Sequence, residues 1–167
     1  IDDMEVDIEE DCLKILALHQ PVAGDLRFIV TVIKVNNEIE RIADIAVNIA
    51  MRIQTISKQK TIAAKFSSNF DTMSERVLHM LKLSLDSLIK RDVVSARSVF
   101  LIDDEVDEQR NKVYAIAKEE LAKATEYSDV LINIYLLARH LERIADRATN
   151  IAEEVIYLVE GTIVRCP

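Results

Sequence analysis

Apolar residues at Phe28, Val32, Val35, Ile39, Ile42, Ala46, Ile49, Ile53 and Ile56 follow one another in steps of four and three, the spacing of a long helix laid along a bundle seam. Displaced by 102 residues, every position is apolar again, as Val130, Ile134, Leu137, Leu141, Ile144, Ala148, Ile151, Val155 and Leu158. The pattern predicts two helices of about eight turns, related by an internal repeat. Within them EIERIADIAVNIA (38–50) returns as HLERIADRATNIA (140–152), so that Glu40, Asp44 and Asn48 recur as Glu142, Asp146 and Asn150. Core packing would repeat the apolar positions. It gives no reason to repeat two carboxylates and an amide.

Only two Gly, two Pro and no Trp, in a chain that is half hydrophobic, favour long helices with few turns, and the fold class is all-α. QPVAGD at 20–25 ends a first helix over residues 1–19, with Asp25 as candidate cap of a second over 25–57. The stretch 57–66, SKQKTIAAKF, has the weakest pattern and reads as a connection. Helices over 67–90, 93–124 and 128–160 follow, the last with Ser128 as candidate cap. Residues 1–60 form a first repeat and 61–167 a second, a three-helix bundle. Pairing Ile1-Asp2 with Val106-Asp107 gives the first repeat only the last two of three helices. The expected architecture is two consecutive three-helix bundles with pseudo-twofold symmetry, the first truncated to two helices, and the chain opens in mid-pattern as if upstream sequence were absent.

Twenty-nine acids against 21 bases, a formal charge of -8, repel phosphate backbones and argue against nucleic-acid binding. Cys12 and Cys166 stand far apart with no C-x-x-C pair, which points to a reducing cytoplasm rather than a disulfide framework. No uncharged stretch approaches the roughly 18 residues of a membrane span, and the start carries no signal-peptide pattern. Phosphate-loop and serine-nucleophile motifs do not occur, so no enzymatic activity is expected.

Glu40 and Asp44, four residues apart, share one helix face about 6 Å apart along the axis. The apolar stripe sets that face outward, unlike ferritin-like di-iron sites, which lie inside a bundle and use Glu-x-x-His. Asp103 and Asp107 form a matching pair on the preceding helix, with Asp104 and Glu108 beside them, and Asp2 stands where Asp107 does in the first repeat. Antiparallel neighbours would bring Asp103, Asp107, Glu142 and Asp146 into one patch, and Asp2, Glu40 and Asp44 into another. Hard carboxylate oxygens suit iron, manganese, magnesium or calcium, with zinc also compatible. His19, His79 and His140 share no motif and read as non-ligands. The plain alternative is a solvated helix face, with Arg41 bonded to Asp44 and Arg143 to Asp146. A metalloenzyme with an open coordination site and a metal-free helical adaptor both remain open.

LALHQPVAGDLR (16–27), LERIADRATNIAEEVIYLVEG (141–161) and the doubled ERIAD-x-A-x-NIA resemble the PhoU family of phosphate-signalling regulators. The resemblance spans essentially the whole chain. It implies two three-helix bundles, with multinuclear iron or zinc clusters on their surface held by E/D-x-x-x-D motifs matching Glu40 and Asp44, Asp103 and Asp107, and Glu142 and Asp146, with Asp2 as the end of the fourth. It implies a cytoplasmic negative regulator linking a phosphate ABC transporter ATPase to a sensor histidine kinase, peripheral to the membrane through its partners and compatible with a homodimer. Only the second patch has all four of its acids in this chain.

Overall fold

A computed structural model describes residues 1–165. The described residues form α1 (Asp2–His19), α2 (Ala23–Ile56), a short α3 (Lys60–Ala63), α4 (Ser67–Lys90), α5 (Val93–Lys123) and α6 (Ser128–Glu160), with no strand among them. Single 3-10 turns at Ala64–Phe66 and Thr125–Tyr127 precede α4 and α6. Cys12 is buried on α1; the other cysteine, Cys166, lies outside the described residues. No helix of the described residues is long and apolar enough to cross a membrane.

The helix boundaries have local causes. Gln20 ends α1 in the left-handed conformation, its N–H bonded to the Leu16 carbonyl, and Pro21 follows, where no helix could continue. Asp25 does not cap α2, because that helix starts two residues earlier at Ala23, itself at φ 50°. Asp25 instead lies in the first turn, where an acid complements the exposed N–H groups. Ser128 does not cap α6 either. The 3-10 turn carries the chain smoothly into that helix, with Ser128 its first residue and already helical. Asp92 is a true N-cap of α5, accepting hydrogen bonds from the Val94 and Ser95 N–H groups at 3.0 and 3.2 Å.

α4, α5 and α6 pack on one another as a three-helix bundle, α1 packs on α2, and α2 runs along α6. Lys34 pairs with Glu154 at 2.9 Å, Glu38 with Arg147 at 3.1 Å, and Arg52 donates to the Asn133 side chain at 3.0 Å. Residue numbers thus rise on α2 as they fall on α6, so the two are antiparallel. The doubled segments lie side by side mid-interface, about Ile42 and Ile144.

Met73, Met80, Val99, Val106, Ile134 and Val155 are fully buried between α4, α5 and α6. From residues 1–60 Ile45 and Ile56 are buried in this core, with the partly buried Ile42 and Ile49 packed against it. The expected connection at 57–66 is more ordered than its pattern suggests: Ile62 and Phe66 are buried in that core and tie the segment to it. The α6 stripe is buried at Val130, Ile134, Leu137, Ile144, Ala148, Ile151 and Val155, whereas Phe28, Ile39 and Ile53 of the matching α2 stripe are exposed.

Candidate functional site

α5 and α6 place Asp103, Asp107, Glu142 and Asp146 near enough to feel one another's charge. Burial first, and then the charges of Asp146, Asp107, Asp104 and Glu142, together raise the Asp103 carboxyl to about 6. Burial also raises Glu142, against the pull of Arg139 and with Asp146 adding to it. Asp146 is raised chiefly by burial, with Arg147 opposing. The motif face is therefore less open than its heptad position implied. The Glu142 side chain is only 12% exposed, because α5 shields it.

The acids do not stand alone. Arg139 Nη1 donates to Glu142 Oε1 at 3.0 Å, Arg110 Nη2 to Asp107 Oδ1 at 3.2 Å, and Arg110 Nε approaches Glu142 Oε1 at 3.8 Å. Glu142 Oε2 is buried with no hydrogen-bond partner, a cost that native structures seldom leave uncompensated. Arg41 and Arg143 make no ion pair with Asp44 and Asp146. Arg143 is exposed, and α6 instead uses Arg147, which reaches across to Glu38.

In the first repeat Glu40 is raised by burial, then by Asp44, Asp2 and Glu5, with Arg41 opposing, which places α1 acids beside the α2 motif. Asp44 and Asn48 are exposed, and Asn48 Nδ2 donates to the Asp44 carbonyl at 2.9 Å, so this amide serves its own helix. Asn150 lines a cleft of about 660 Å³ with Glu5 and Glu9 of α1, Lys34 and Glu38 of α2, and Glu153 and Glu154 of α6.

Among the described residues no three His, Cys, Asp or Glu side chains are grouped closely enough to hold one ion as they stand. Carboxylates that raise one another and a Glu142 oxygen without a hydrogen-bond partner are the donor chemistry a hard cation would take. Glu142, Asp146, Asp103 and Asp107 would hold it in the second repeat, and Glu40, Asp44 and Asp2 in the first.

The PhoU domain matches residues 1–53 and 70–155. The chain belongs to the PhoU family. It is 39% identical over 165 residues to a phosphate-specific transport system accessory protein PhoU homolog of Aquifex aeolicus, covering 99% of this chain and 74% of that protein. The Thermotoga maritima PhoU homolog 1 is 32% identical over 161 residues, covering 96% of this chain and 69% of the relative. The crystal structure of PhoU from Pseudomonas aeruginosa superposes with a TM-score of 0.84 at 32% identity, covering 96% of this chain and 77% of that one. In this PhoU chain the sequence motifs did not disclose Arg110 and Arg139. Their spacing from Asp107 and Glu142, three residues in each case, was the available signal.

Proposed function

We propose that the chain is a negative regulator of phosphate uptake and phosphate-responsive signalling in the cytoplasm, working through protein contacts rather than catalysis. Its partners on this reading are a phosphate ABC transporter ATPase and a sensor histidine kinase, with carboxylate-bound iron or zinc clusters, or single magnesium, manganese or calcium ions, on the helix faces. The observation that carries the regulatory reading is the PhoU domain matching nearly all of both repeats. Relatives of that name are accessory proteins of phosphate-specific transport systems. The decisive experiment is capture of the ATPase or the kinase from a phosphate-regulating host at high and low phosphate. Association with at least one supports the reading, and association with neither contradicts it.

The metal reading is tested separately by elemental analysis of wild type and of Glu142→Ala with Asp146→Ala, which should lower metal stoichiometry. A metal-free helical adaptor is favoured by one observation, the two arginines already placed on Glu142 and Asp107. It requires no metal in the wild type and no change in signalling on removing the acids.

A further inference from the structure

The internal repeat sets a standard for α1. In the register that pairs Asp2 with Asp107, buried Cys12 falls on buried Ala117, while Val6, Leu13 and Leu18 fall on Asn111, Lys118 and Lys123. Those three polar residues face solvent on α5, so the bundle asks for no apolar side chain at these places. Val6, Leu13 and Leu18 are nevertheless apolar and each more than half exposed. Val6 and Leu13, two turns apart, share one helix face, on a helix that carries seven acids and one lysine. α5 has the opposite character. From Arg110 to Lys123 it carries four bases against two acids, and Tyr114 and Leu121 of α5 with Leu131, Ile132 and Tyr135 of α6 line a cavity of about 220 Å³ beside Lys118. The Tyr114 and Tyr135 ring centroids stand 5.4 Å apart, Tyr114 and Ile132 are half exposed, and Lys118 forms no ion pair among the described residues.

We propose that the chain pairs with a second copy of itself, α1 of each copy laying Val6 and Leu13 against the Tyr114 and Tyr135 cavity of the other, its acids facing the bases of α5. Exposed apolar side chains rimmed by charge mark interaction surfaces, and tyrosine is enriched at their centres. Charge complementarity names the occupant: the acidic helix with an apolar face that suits the basic, aromatic face of α5 is supplied by the same chain. Geometry allows both contacts at once. α2 and α6 are antiparallel copies, so the twofold axis that relates the repeats is perpendicular to both helices. It carries α1 onto α5 and leaves Leu13 and Lys118 on the same side of the α2–α6 layer. Two copies placed face to face therefore make the contact of α1 with α5 twice, as a closed symmetric dimer requires.

The test is sedimentation velocity of the whole chain over a series of concentrations, at low and high salt, on wild type, on Val6→Asn with Leu13→Lys, and on Lys118→Glu with Ile132→Glu. The first variant gives α1 the residue types that α5 carries at the same places, so the helix is kept, and melting at a dilution where all three proteins are monomeric should match wild type. Wild type should dimerise, less tightly at high salt because the paired helices carry opposite charge. Each variant should dimerise at least about tenfold more weakly. An equimolar mixture of the two variants should recover association, since each supplies the face the other lacks. A wild type that stays monomeric at every concentration overturns the inference, whatever other partner the α1 face then serves. So does an α1 variant that dimerises as tightly as wild type, or a mixture that associates no better than either variant alone.

Discussion

α2 and α6 carry one apolar stripe in two environments. At matched positions Val155 is fully buried and Ile53 is 50% exposed; Val130 is 4% exposed and Phe28 42%. The sequence pattern is the same, so the difference comes from what packs against it. α6 is enclosed by α4, α5 and α2, whereas α2 has α6 on one side and the acidic α1 on another. Most helical stability in a protein comes from burying the amphipathic face rather than from propensity. The second repeat accordingly carries most of the core, and the first is a hairpin that packs on it chiefly through α2 against α6.

Isoleucine truncations on the two stripes should show this inequality most strongly. Ile151→Ala empties a fully buried site and should cost about 3 kcal/mol in denaturant titration. Ile53→Ala removes the same atoms one turn beyond the matched Ile49 and should cost less than about 1 kcal/mol, because half the side chain already meets water. Equal costs would break the comparison.

The joint between hairpin and core comes next. Gly161 closes α6 at φ 74°, and an added Cβ would stand 2.5 Å from Arg27 Nη1. Arg27 in turn lies over the Tyr157 ring, 5.8 Å from its centroid. Gly161→Ala should therefore cost roughly 1–2 kcal/mol, the left-handed backbone being the main term since Arg27 can swing aside. Thermal melting should fall by a few degrees.

The two patches should differ in how they respond to pH. Asp103 has a folded value of about 6, above its ordinary 3.8. Its contribution to folding is present below about pH 4, is lost as pH rises through 6, and leaves a net cost at neutrality. Asp103→Asn should stabilise the metal-free protein at pH 7 by about 1 kcal/mol after allowance for solvent screening, and flatten the pH 4 to 6 dependence. Glu40→Gln, at the exposed counterpart patch, should change melting little.

The smallest effect belongs to the loop that starts the hairpin. Ala23 sits at φ 50°, a conformation costly for any residue with a Cβ. Ala23→Gly should stabilise by about 0.5 kcal/mol, the relief of strain exceeding the entropy glycine adds to the unfolded chain. A loss of stability would show that the left-handed turn is unstrained.

Much of the fold was legible because helices announce themselves through spacing. The stripe from Phe28 to Ile56 fixed α2, and its repeat fixed α6. Helix starts were less legible, since Asp25 and Ser128 are good capping residues that the backbone instead takes into the first turn of the helix, a choice made by the loop before it. Ile62 and Phe66 sit in too short a segment to show a period, yet burial by α4 and its neighbours makes them core. At the site, the acids were visible through their duplication, while Arg110 and Arg139 were not, because the repeat preserves neither. A repeat discloses what both halves need and hides what only one uses.

Hydrogen exchange resolved along the chain tests the central contrast most directly. If the repeats are unequal as described, amides of α6 from Ala145 to Ile156 should exchange at the rate of global unfolding, while those of α1 and of α2 before Val35 exchange orders of magnitude faster. Equal protection of α1 and α6 would contradict the account.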